Sequence, residues 1–94
     1  MAKTFEIRCK VESVGEEQQV TPTFKKVDVI GVIEGEYPEH LKFEFIQDKV
    51  ELTESILPGT YVTFFFNLRG RKVEKDNGEV MYFTSLTAWK IEAS

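Results

Sequence analysis

The segment Asp48–Leu57 (DKVELTESIL) is the only stretch of this 94-residue chain that reads as a helix. Val50, Leu52, Ile56 and Leu57 give it a partial apolar stripe. Asp48 has Glu51 three residues on, the spacing of a capping box, and Pro58-Gly59 stops the helix. One short helix has too little apolar face to build a core alone, so the core has to come from strands. Where the helix falls among those strands then limits how the sheet can close.

Five strand-like runs surround it, at about 4–12, 23–34, 41–46, 60–75 and 80–91. In the first, Phe5, Ile7, Cys9 and Val11 alternate with Glu6, Arg8, Lys10 and Glu12, the period-two pattern of a half-buried strand. The second places Val27, Val29, Gly31 and Ile33 on one face, and Gly31 predicts a bulge or sharp coil there. The third turns Leu41, Phe43 and Phe45 inward and Lys42 and Glu44 outward. In the fourth, Val62, Phe64, Phe66 and Leu68 share one face, with Tyr61, Thr63, Phe65, Asn67 and Arg69 on the other. Residues 14–22, polar and ending in Pro22, read as a loop. Asn77-Gly78 predicts a two-residue type I′ hairpin between the last two runs. That register sets Phe66 opposite Trp89 and buries Trp89. It also strands Leu86 outside beside Arg69, which predicts a bulge near Gly70.

A helix between the third and fourth of five strands is the order of the oligonucleotide/oligosaccharide-binding (OB) fold, a five-stranded Greek-key barrel. The expected architecture is therefore all-β, one OB domain over residues 1–94 with its helix at about 48–57. Such barrels bind on the face of strands two and three, flanked by the first and last hairpin loops.

Catalysis has few groups to work with. His40 is the only histidine and reads as an exposed turn residue; Cys9, the only cysteine, reads as an inert core residue. No clustered ligands suggest a zinc or calcium site, and no glycine-rich loop suggests a phosphate cradle, so neither an enzyme nor a cofactor is expected. A single cysteine, an N-terminus unlike a signal peptide and no membrane-spanning run point to a cytoplasmic protein.

Charge favours binding. The net charge is −4, yet residues 69–75 hold Arg69, Arg71, Lys72 and Lys75 against Glu74, a local +3 that leaves −7 on the rest. Single-stranded nucleic acid is held by cations along its backbone and aromatic rings under its bases. Candidate contacts are Phe24, Lys25, Lys26, Lys42, Phe65, Arg69, Arg71, Lys72, Lys75 and Tyr82. Tyr61 and Phe83 are further outward aromatics. Four phosphate contacts on the arm correspond to a log K against log salt slope of roughly −3. Phe65 beside Tyr61 also reads as a homodimer contact, which keeps an assembly module with no nucleic-acid ligand as the alternative.

The chain resembles a family of small, uncharacterised bacterial and phage OB-fold proteins, similar in fold to single-stranded DNA-binding proteins. The resemblance rests on Phe24-Lys25-Lys26, Glu36-Tyr37-Pro38, Phe43-Glu44, Asp48-Lys49, Pro58-Gly59, Val62-Thr63-Phe64 and the closing run from Tyr82 to Ile91. It implies an OB domain with single-stranded DNA as the partner. The expected function is binding of single-stranded DNA, or RNA, without base-specific readout in replication or recombination, by a homo-oligomer. This chain departs from the family in having Ile46-Gln47 for Trp-Gly, Ser85 for an acid, Thr87 for an arginine and Phe65 for a polar residue.

Overall fold

The structure, a computed structural model, describes residues 4–93. Six strands are present: β1 (Thr4–Val14), β2 (Gln18–Thr21), β3 (Phe24–Ile33), β4 (Glu39–Ile46), β5 (Tyr61–Glu74) and β6 (Val80–Ala93). They follow the order β1-β5-β6-β4-β3-β2, and β1 also pairs with β3. That second pairing closes β1, β3, β4, β6 and β5 into the expected barrel, with β4 and β6 parallel at the seam. The polar stretch expected as a loop contains β2, an additional short strand hydrogen-bonded to the start of β3. β4 begins at Glu39, which puts His40 on a strand and not in a turn.

The barrel is filled by alternate residues. Cys9 and Val11, Val27 and Val29, Phe43 and Phe45, and Val62, Phe64 and Phe66 are buried. Phe43 and Phe64 stack with centroids 4.2 Å apart, and both are fully buried. Burial pushes the Cys9 thiol pKa up. Gly31 sits under this stack. A methyl group there would lie 3.0 Å from the Cys9 Cβ and 3.2 and 3.3 Å from ring carbons of Phe43 and Phe64. Its role is close approach, and the bulge is on β1, where Glu12 is the extra residue opposite Gly31 and Ile30.

The helix is a 3-10 helix over Gln47–Ser55, packed against β3, β4 and β6. Val50 and Ile56 enter the core as expected, whereas Leu57 is 63% exposed. Asp48 does not cap it. The chain leaves Ile46 extended and turns through Gln47 at φ 53°, so Asp48 falls inside the first turn, and no side chain caps the end. The left-handed conformation at Gln47 suits glycine.

The β5–β6 register differs from the expected one. Gly78 takes φ 88°, its amide donates to the Lys75 carbonyl, and the Lys75 amide donates to the Glu79 carbonyl. The loop therefore has three residues, Asp76-Asn77-Gly78, and pairing is shifted by one. Gly70 lies opposite Thr84 with no bulge, Leu86 comes inward opposite Leu68, and Ala88 lies opposite Phe66. The bulge is instead at Trp89, between Ala88 and Lys90. Without it Lys90 would face the core opposite Phe64; with it Ile91 does. The bulge leaves Trp89 on the outer wall against Phe65, with ring centroids 5.8 Å apart, and not in the core.

Candidate nucleic-acid interface

Inward residues make the core, so their neighbours on β3, β4, β6 and β5 share one outer face. Register fixes what sits beside what. Asp28 pairs with Glu44, Glu44 with Thr87, and Thr87 with Asn67, forming a polar row across four strands. One step toward the hairpin, Ile30 pairs with Lys42 and Arg69 with Ser85. One step further, Val32 pairs with His40 and Arg71 with Phe83. In the opposite direction lie Phe65, Trp89 and Lys90. Rows are spaced by two residues, roughly 7 Å.

β4 and the β5–β6 ribbon line an open cleft of about 820 Å³. Lys42, Arg69, Arg71, Glu44 and Phe83 line it. Of the candidate residues, Lys42, Arg69 and Arg71 are thereby brought together. Phe83 joins them: the Arg71 guanidinium carbon is 5.5 Å from its ring centroid. Phe83 and not Tyr82 is the arm aromatic in the cleft, because the one-residue shift at the hairpin puts Phe83 on the face of Arg71. Tyr82 lies on the other face, 75% exposed.

The remaining cations differ in their surroundings. Lys25 lies 3.9 Å from Glu17, Lys26 3.8 Å from Asp28, Lys72 3.2 Å from Glu74 and Lys75 3.9 Å from Glu79. Lys42, Arg69 and Arg71 have no carboxylate within 4 Å among the described residues. Phe24 is half-buried at the start of β3, away from the cleft. Phe65 is half-buried on the wall, with the Lys90 ammonium 4.9 Å from its ring centroid. Tyr61 is separated from it in chemistry: its hydroxyl donates to Glu34, and Arg8 covers its ring at 4.5 Å. The Glu34 hydrogen bond, with some burial, pushes the Tyr61 pKa up, and Arg8 opposes the shift. Tyr37 is exposed in its turn.

Among the described residues, no group of three His, Cys, Asp or Glu side chains could hold a metal ion. No helix among them is long and apolar enough to cross a membrane.

The strand order, helix position and outer cleft define an OB fold, and solved structures agree. The chain superposes on the mitochondrial single-stranded DNA binding protein Rim1 of S. cerevisiae with a TM-score of 0.75 at 14% identity, covering 99% of this chain and 95% of that one. It also superposes on the single-stranded DNA-binding (SSB) domain of a Synechococcus sp. protein with a TM-score of 0.72 at 15% identity, covering 97% and 93%. At such identity the likeness is one of fold. No curated protein sequence matches the chain. Residues 6–92 match the domain of unknown function DUF3127, and the chain belongs to that family.

Proposed function

We propose that this protein binds single-stranded nucleic acid, with single-stranded DNA as the expected partner, by backbone electrostatics and base stacking in the cleft lined by β4 and the β5–β6 ribbon. The observation that carries the reading is the convergence of Lys42, Arg69 and Arg71 on one cleft beside Phe83, with no carboxylate within 4 Å of them among the described residues. Phosphates take the place that carboxylates take at the other lysines. Bases stack on the Arg71–Phe83 pair, since guanidinium planes and aromatic rings both serve as platforms. The fold shared with single-stranded DNA binding proteins supports the same reading. On this reading the protein is a binder and not an enzyme. Replication or recombination is the setting such binding would serve.

The test is an anisotropy titration of a labelled oligodeoxynucleotide at low and moderate salt. Binding that weakens with salt is expected; no binding even at low salt would sink the reading.

A second reading, an assembly module, is favoured by Phe65 and Trp89, two large aromatics in contact on the outer wall. Sedimentation of wild type and Phe65→Ser decides whether a self-association exists and depends on that wall. Both readings hold together if a homo-oligomer lengthens the nucleic-acid site.

A further inference from the structure

The polar row between the cations and the wall aromatics is where a base edge would fall. A strand that lays its phosphates along Arg69 and Lys42 has its bases one row away, over Asn67, Thr87, Glu44 and Asp28. The two members on β3 and β4 are carboxylates, which when ionised only accept hydrogen bonds. Glu44 lines the cleft and is half-buried. Asp28 lies directly opposite it on β3. The Asp28 Oδ1 is shut off from solvent and receives no hydrogen bond among the described residues, and the Lys26 ammonium is 3.8 Å away. Like charges opposite one another on neighbouring strands destabilise a sheet, and a shielded acceptor without a donor adds to that cost. A ligand that brings hydrogen-bond donors to Glu44, which lines the cleft, offsets the first of these costs.

We propose that Glu44, backed by Asp28, makes this face favour bases that present an exocyclic amino group over uracil and thymine. The inference rests on the nucleic-acid reading above. Cytosine offers the two N–H bonds of its N4 amino group to a carboxylate, whereas uracil and thymine present the O4 acceptor at the same place and keep one donor, N3–H, beside it. Acceptor against acceptor is repulsive, and Glu44 has no proton to donate when ionised. Lys42 and Arg69 hold the backbone whatever the base. The result is a general binder with a base preference, not a sequence-specific one.

The test compares oligodeoxycytidylate with oligodeoxyuridylate of equal length at one salt concentration, on intact wild type and Glu44→Gln. The two bases differ only at position 4 and the neighbouring N3, so stacking area is matched. Wild type is expected to bind the cytosine oligomer roughly ten-fold tighter. Glu44→Gln should bring the ratio within about two-fold, because an amide can turn its NH2 toward O4. Losing one negative charge raises both affinities alike, so the ratio is the readout. Equal binding by wild type overturns the inference while leaving the nucleic-acid reading standing, and so does a ratio that survives Glu44→Gln. No binding of either oligomer overturns both. The wild-type ratio decides the matter even if the variant folds poorly.

Discussion

Two sets of basic residues in this molecule look alike in the chain and differ in space. Lys72 and Lys75 near the ribbon tip, and Lys25 and Lys26 at the start of β3, each lie within 4 Å of a carboxylate. Lys42, Arg69 and Arg71 face one cleft and have no such partner among the described residues. Exposed ion pairs contribute little to stability, about 0–1 kcal/mol, but they locally cancel the field that attracts a phosphate. A count of cations along residues 69–75 treats all four as equivalent. Register separates them: Arg69 and Arg71 share the outer face with Ser85 and Phe83, while Lys72 lies on the opposite face with Tyr82.

The sharpest way to break this distinction is to remove the cleft cations together. Lys42→Ala with Arg69→Ala and Arg71→Ala should weaken oligonucleotide binding by roughly a hundred-fold at low salt, read by anisotropy, if each phosphate contact contributes about 1 kcal/mol. Phe83→Ala is expected to cost about 1–2 kcal/mol, near ten-fold, with the salt slope unchanged because no charge is lost. Lys72→Ala with Lys75→Ala should change affinity less than about three-fold; a loss as large as that of the cleft variant would erase the difference between the two sets. The smallest effect on binding is expected from Gln47→Gly. It should leave affinity unchanged and raise stability by about 1 kcal/mol in urea denaturation, because it relieves a left-handed residue that does not line the cleft.

The barrel was legible because its signals are local. Period-two alternation in β1, β4 and β5, and the single helix after the third of the expected strands, suffice to order it. β2 was hidden, since Gln18–Thr21 is mostly polar and exposed, and only pairing with β3 makes it a strand. Asp48 carried the right spacing for a cap but could not act as one, because the chain turns directly from β4 through Gln47. The site was legible as a list of residue types and not as an arrangement. Asn77-Gly78 is compatible with a two- or a three-residue loop, and that one-residue choice decides which arm residues face the cleft. It also decides where the bulge falls. A two-residue loop would set Trp89 opposite the buried Phe66, but Ala88 takes that place and the extra residue turns Trp89 out to meet Phe65. The shared importance of Glu44 and Asp28 had no signal in the chain, as they are sixteen residues apart and meet only through the β3–β4 register.

The salt dependence of binding tests the central claim most directly. Three phosphate contacts correspond to a log K against log salt slope of about −2 on single strands, shallower than the −3 that four arm cations would give. Wild type is expected to show that slope, and the variant lacking Lys42, Arg69 and Arg71 side chains a slope near zero. A slope that stays near −2 in the variant would contradict the assignment of the cleft as the phosphate-binding site.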